Sequence, residues 1–328
     1  MRKLGVGGGL LVGLGLVMAL AVTLGEVPLS GAQYADAFSN PTDPAGQILW
    51  EIRAPRVFAA AVVGACLGLS GALLQGLLRN PLADPGVLGV SASAGLGASL
   101  AIVAGLAITP GAIELAALAA AGVAAGMLIA FAARVAEPEA LILFGVSLSA
   151  FAGALTALVF NFSPSPIATA EVMGWMLGTV ENRGWSDVVW GAVALAVAVG
   201  LGLWARKGLL ALTLGEETAA TSGLPIRRLK VAAVLAAAVA TGAAVAIAGV
   251  VGFVGLAAPH LVRAAVREDP ARLLSPSALA GALMLVMADL IARTLPGDVE
   301  VKLGVITALI GAPLFGLIAW RAARSWRS

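Results

Sequence analysis

The sequence predicts an all-α, polytopic membrane protein with ten transmembrane helices and both termini in the cytoplasm. Three observations carry that expectation. Of 328 residues, 60% are hydrophobic and 12% charged, with a mean hydropathy of +1.00. A soluble domain carries about 25% charged residues, and half of that cannot cover a surface of this size, so lipid must surround most of the chain. Charge-free runs of about 20 residues, the length that crosses a bilayer at about 1.5 Å per residue, recur along the whole sequence. When those runs are laid alternately across a membrane, the 20 Lys and Arg residues separate fifteen to five, with the majority on the cytoplasmic side. A soluble enzyme, a nucleic-acid reader and a disordered regulator are excluded.

The spans follow in order. Leu4 to Gly25 is charge-free and follows Arg2 and Lys3. A signal peptide cleaved near Ala19 and Ala21 is the alternative, but the run is longer than a usual signal-peptide core, which favours a retained first helix. Val57 to Leu78 is the second span and Pro85 to Ile113 the third. Leu115 to Ala133 is the fourth, after a turn at Thr109-Pro110-Gly111. Leu141 to about Phe160 is the fifth, ended by Ser163-Pro164-Ser165-Pro166, and Val188 to Ala205 is the sixth. Val231 to Val262 holds 32 residues without a formal charge, too many for one ordinary helix and few for two. Arg227, Arg228 and Lys230 precede it and Arg263, Arg267 and Arg272 follow it. A hairpin turning near Gly249 and Gly252 keeps both basic clusters inside. Leu273 to Ala288 and Leu303 to Trp320 complete the count, separated by Pro296-Gly297-Asp298. The five outer basic residues are then Arg53, Arg56, Arg183, Arg293 and Lys302.

Punctuation agrees with this layout. Asp84-Pro85, Ser275-Pro276 and Glu137-Pro138 read as a cap followed by proline in the first helical turn. Gly64…Gly68 and Gly122…Gly126 have the small-xxx-small spacing that lets membrane helices touch. Residues 1–328 read as one membrane domain, whose longest inner connection is the loop at about 206–230.

The chemistry is sparse. A single cysteine, Cys66, excludes an intrachain disulfide, and with a single histidine, His260, no Cys/His metal cluster is expected. Pro259-His260 reads as positioning the eighth helix. There is no G-x-x-x-x-G-K-[ST] and no H-E-x-x-H. No span carries acids and bases in series, as an ion relay would need. Asp289 and Arg293 come closest, at i and i+4 on one helix face, where a local ion pair accounts for both. No catalytic residue, metal ligand or cofactor is expected in this chain. Energy for active transport would have to come from another polypeptide.

Several short segments remain. Arg53-Ala54-Pro55-Arg56 precedes the second span. Gly71-Ala72-Leu73-Leu74-Gln75-Gly76, Arg79-Asn80-Pro81-Leu82-Ala83-Asp84-Pro85 and Leu88-Gly89-Val90-Ser91 follow in series. Late in the chain come Gly252-Phe253-Val254-Gly255-Leu256, Pro259-His260, Ala288-Asp289-Leu290-Ile291-Ala292-Arg293 and Gly311-Ala312-Pro313-Leu314-Phe315. Together, in this order, they resemble the FecCD-type permeases, membrane subunits of ABC importers for iron chelates, haem and cobalamin. The resemblance runs from about residue 50 to the C-terminus.

What the resemblance implies is a permease in a bacterial inner membrane, working as a dimer of two copies. Two cytoplasmic ABC ATPases, which hold ATP and Mg²⁺, would drive it, and a periplasmic binding protein would dock outside. No nucleic-acid partner is implied; lipid surrounds the chain. The fifth and tenth helices would line the path, with a short outer helix here at about Ala168 to Gly178, capped by Thr169 and with Glu171 in its first turn. Trp175 reads as a path residue or, more simply, an interfacial anchor. Arg53, Arg56 and Arg293 match docking positions that pair with acids of the binding protein, with Glu51 near enough to quench part of the effect. Asn80, Pro81 and Leu82 match a cytoplasmic gate. Gly215, Glu216, Ala219, Ala220 and Gly223 match the coupling helix that seats in the ATPase, with small residues for close approach. An iron chelate of siderophore type leads as cargo; haem and cobalamin are the alternatives. An ion-coupled secondary transporter and a structural or signalling membrane protein are the rivals from other classes.

Overall fold

The computed structural model describes residues 3–25, 27–135, 137–163, 165–266, 269–295 and 300–325. Fourteen α-helices and three short 3₁₀ or π turns appear among them, and no strand. They are α1 (Lys3–Thr23), α2 (Gly31–Ser39), α3 (Pro44–Gln47), α4 (Ala54–Leu78), α5 (Val90–Val103), α6 (Ala112–Ala132), α7 (Pro138–Asn161), α8 (Pro166–Met176), α9 (Trp185–Leu212), α10 (Glu216–Thr221), α11 (Ile226–Ala248), α12 (Val254–Arg263), α13 (Pro270–Thr294) and α14 (Leu303–Ser325). Seven segments are long and apolar enough to cross a membrane, ending in or comprising α1, α4, α6, α7, α9, α11 and α13. Three shorter apolar helices, α5, α12 and the first part of α14, fall where the third, eighth and tenth spans are expected. Arg2, Arg267, Arg327 and the Pro296-Gly297-Asp298 turn lie outside the described residues.

The core is built on α4 and α11, whose spanning windows are 78% and 83% buried, while α1 and α7, at 6% and 17%, are peripheral. Glycine makes the tightest contact. A Cβ on Gly64 would stand 2.2 Å from the Gly281 carbonyl oxygen, and one on Gly68 2.2 Å from that of Ser277. Helices α4 and α13 therefore touch backbone to backbone, antiparallel. The Gly122…Gly126 pair has open space beside it and serves no such contact. Across from α13, the Ser70 hydroxyl stands 2.7 Å from Thr241 Oγ1 and 3.0 Å from the Ala237 carbonyl oxygen, tying α4 to α11.

The 231–262 segment reverses as expected, but unequally. Helix α11 runs its full length, the chain turns through Gly249 (φ 71°) and Phe253 (φ 67°), and α12 returns for ten residues. Ten residues rise only about 15 Å, half a bilayer. The turn lies inside the bundle, where non-helical backbone is tolerated because protein groups satisfy it. The Ala248 carbonyl accepts from Thr179 N–H at 2.8 Å. Arg227 and Arg272 both sit at the start of helices at one end of the bundle, as a reversal requires.

Other boundaries are corrected. The third span starts at Val90, not Pro85: Asp84 Oδ1 accepts from Gly86 N–H at 2.7 Å in a turn, and Gly89 (φ 82°) precedes the helix. Helix α13 begins at Pro270 with Asp269 as its cap, leaving Pro276 inside the helix. The short helix starts at Pro166 with Ser165 as cap, accepting from Ala168 N–H at 3.1 Å, so Thr169 is not the cap and no acid stands in its first turn. Helix α9 runs to Leu212, placing Arg206 and Lys207 in the helix rather than in the inner loop. Glu137-Pro138 does open α7. The end of α1 is built into the fold: Arg293 donates to the Ala21 carbonyl, and Arg53 Nη1 donates to those of Val22 and Thr23. That favours the retained helix over a cleaved one.

Candidate functional site

The ends of the bundle hold different chemistry. At the end expected outside, a π-helical turn (Ile48–Arg53) leads into α4. It turns Arg53 inward, where the residue is only 5% exposed and donates to the carbonyls of Val22, Thr23 and Val27 and to the Tyr34 hydroxyl. Three residues on, Arg56 reaches two acids. Its Nε and Nη2 donate to Asp289 Oδ1 at 2.9 and 2.8 Å, and its Nη1 donates to Glu300 Oε2 at 3.1 Å, with a second contact from Nη2 to Oε1. Arg293 Nε stands 3.5 Å from Asp289 Oδ2, and its side chain is 4% exposed. The sequence places all three arginines at one end, and the structure brings them together. Each of the three is also engaged within the chain.

An open cleft of about 470 Å³ lies over this network, lined among others by Arg53, Arg56, Arg183, Arg293, Glu181 and Glu300. Arg183 pairs with Glu114 at 2.8 Å and Lys302 with Glu181 at 3.3 Å, so the cleft wall is a mosaic of both signs. Glu300, Glu181 and Glu114 were not singled out by sequence. Glu300 and Glu181 each stand two positions from an outer basic residue, Lys302 and Arg183, in an otherwise charge-poor chain, whereas Glu114 has no such neighbour and its only signal was its place at the outer end of the fourth span.

At the opposite end, Arg79 closes α4 in the left-handed region (φ 50°). Asn80 does not cap that helix; its Oδ1 accepts from Leu82 N–H at 2.9 Å, an Asx turn. Pro81 and Leu82 are exposed, Leu82 by 53%. Gln75, 3% exposed and absent from the expected site, ties this loop down. Its Nε2 lies 3.4 Å from the carbonyl oxygens of Ala83 and Leu256, and its Oε1 accepts from Arg263. Burial raises the Asp84 carboxyl above the usual aspartate range, opposed by the Gly86 N–H.

Helix α10 forms where the coupling helix is expected, with Gly215 (φ 95°) before it, Ser222 as C-cap and Gly223 (φ 74°) after it. Its facing corrects one expectation. Ala219 is 1% exposed and packs into the core, whereas Glu217, Thr218, Ala220 and Thr221 face out. Ala220, not Ala219, is thus the small residue on the outward face of α10. Trp175 packs against the core cluster with its Nε1 buried, which does not fit an interfacial anchor. Among the described residues, no group of three or more His, Cys, Asp and Glu is placed to hold a metal ion.

The family model described as the FecCD transport family matches residues 13–321, from the middle of α1 into α14. The chain belongs to the FecCD transport family. It is accordingly a permease subunit of an ABC importer and not an enzyme. A vitamin B12 import system permease protein, BtuC, of Vibrio cholerae serotype O1 is 41% identical over 314 residues, covering 93% of this chain and 91% of that protein. An uncharacterized ABC transporter permease protein, YvrB, of Bacillus subtilis is 39% identical over 86% of this chain and 81% of its own length. In three dimensions the chain matches a transporter put forward as a metal-chelate type ABC transporter and solved in an inward-facing conformation. The TM-score is 0.87 and the identity 29%, over 97% of this chain and 99% of that one.

Proposed function

We propose that this FecCD-family permease carries a corrinoid of the vitamin B12 type across a bacterial inner membrane. The observation that carries the reading is the 41% identity to a vitamin B12 permease over 91% of that protein's length. It reverses the ranking drawn from the sequence, which put an iron chelate first. Iron chelates remain the second reading, because the solved structural relative is put forward as a metal-chelate type transporter, with haem behind them.

The chain acts as one domain of ten crossings with both termini in the cytoplasm, α5, α12 and α14 completing the seven long spans. Two copies pair. The exposed apolar faces of α7 and α8, with Phe151 at 63% and Ile167 at 80%, support a partner there, since α8 is too short to span on its own. Two cytoplasmic ATPases bind ATP and Mg²⁺ and seat the outward face of α10 around Ala220. Asn80, Pro81 and Leu82 form the gate at the inner end. A periplasmic binding protein docks over the outer cleft, where Arg53, Arg56 and Arg293 set the local positive charge. Charges that border such a cleft steer encounter more than they set affinity.

The test is reconstitution. The permease, its ATPase and the binding protein are placed in liposomes, and labelled cobalamin and ferric siderophore are offered separately. ATP-dependent accumulation of cobalamin supports the reading. Accumulation of the siderophore alone moves the cargo to the second reading.

A further inference from the structure

Arg56 holds two carboxylates that differ in how firmly the chain fixes them. Asp289 belongs to α13, which touches α4 backbone to backbone at Gly64–Gly281 and Gly68–Ser277. It is 0% exposed, and Arg293 stands against its other oxygen. It cannot leave without parting those helices. Glu300 stands in the short segment before α14, with its side chain 13% exposed, on the wall of the open outer cleft.

The segment that carries Glu300 also carries the start of α14. Lys302 pairs with Glu181 at 3.3 Å. The N–H groups of Leu303 and Gly304 donate to the carbonyls of Gly178 and Leu177, at 2.9 Å each. A Cβ on Gly304 would stand 2.5 Å from the Leu177 carbonyl oxygen. The start of α14 and the end of α8 are thus joined backbone to backbone. The Arg56–Glu300 pair is the ion pair, among the described residues, that ties this junction to the α4–α13 pair.

A guanidinium offers five N–H donors in a fixed fork. Here Asp289 takes two contacts and Glu300 takes two. A third carboxylate arriving from the cleft can bind as a fork only if one of the two present leaves. Asp289 is locked and doubly held, so Glu300 is the one that leaves.

We propose that Glu300 is a positioning residue that competes with the docking partner for Arg56. A carboxylate of the binding protein takes its place on the guanidinium, and the release of Glu300 frees the α8–α14 junction to shift. Docking is thereby converted into movement of the helices that border the path. This rests on the docking reading above and names how docking is transmitted.

The experiment uses the full transporter in nanodiscs, with Glu300→Gln, Glu300→Asp and Arg56→Gln measured separately. Binding-protein affinity and substrate moved per ATP hydrolysed are both read. Glu300→Gln removes the competitor and keeps the shape. It is expected to tighten docking about two- to fivefold, the range of one partly exposed ion pair, while lowering substrate moved per ATP. Glu300→Asp keeps the charge on a shorter arm and is expected to fall between wild type and Glu300→Gln on both readings. It also serves if Glu300→Gln folds poorly. Docking that weakens or stays unchanged in both Glu300 variants overturns the proposal, since a merely structural pair would lose docking and transport together. Arg56→Gln separates the two claims. If it docks like wild type, the docking reading itself fails. If it docks weakly while the Glu300 variants dock like wild type, only the exchange fails.

Discussion

Arg56 and Asp289, 233 positions apart in sequence, share a two-pronged hydrogen bond of 2.9 and 2.8 Å at the outer end of the bundle. Asp289 is fully buried and faces two arginines, Arg56 and Arg293. Removing one partner of such a buried pair leaves an uncompensated charge and costs about 3–5 kcal/mol. Asp289→Ala is expected to lower the melting temperature in detergent sharply and to reduce the yield of monodisperse protein. A variant as stable as wild type would show that water reaches these arginines.

The glycines separate two kinds of small-residue spacing. A Cβ on Gly71 would meet the Gly255 carbonyl oxygen at 1.7 Å, so Gly71→Ala must force α4 and α12 apart. A destabilisation at or above the usual overpacking range of about 1–3 kcal/mol is expected. Gly122→Ala and Gly126→Ala meet nothing within 4 Å and should leave thermal unfolding unchanged. Equal effects at all three positions would refute the contact assigned to Gly71.

Coupling is tested on adjacent residues that face opposite ways. Ala220 is exposed and Ala219 is 1% exposed. Ala220→Arg is expected to leave the permease folded but unable to co-purify with its ATPase. Ala219→Arg should instead disturb the packing of α10 on the chain itself and lower stability. Normal ATPase binding and uptake in Ala220→Arg would remove the coupling role from α10.

Topology is tested by labelling. Arg227→Cys and Arg272→Cys, each in a Cys66→Ala background, should resist an impermeant thiol reagent applied to intact spheroplasts. Cys66 is buried, so its removal guards against background only after unfolding. Labelling of either engineered site from outside would place that end of the bundle in the periplasm.

Much of this fold was legible in the amino-acid sequence, because lipid makes every spanning helix apolar and the loops gather the charge. The long helices fall where the charge-free runs lie, and the reversal at Gly249 falls where the flanking arginines require it. The short helices were mis-sized for a physical reason. Counting apolar residues cannot show that backbone at 84–89 and 249–253 turns inside the bundle. There, protein groups rather than helical bonds satisfy it, as when Ser149 Oγ donates to the carbonyls of Gly86 and Val87.

The candidate site was legible by position and not by facing. Charge counting brought Arg53, Arg56 and Arg293 to one end, and the Asp289–Arg293 pair on α13 follows from i,i+4 spacing, but the acceptors of Arg53 and Arg56 lie on distant segments, and Glu300 is 244 positions from Arg56. Ala219 and Ala220 differ only in which side of a six-residue helix they occupy. That choice is made by packing against α9, which one sequence does not display.

The most direct measurement of the central claim is cobalamin uptake into proteoliposomes holding the permease and its ATPase, with the binding protein and cargo outside and ATP within. The account predicts accumulation that requires ATP and the binding protein together and is indifferent to a proton or sodium gradient. Uptake that proceeds without ATP when an ion gradient is imposed would contradict it.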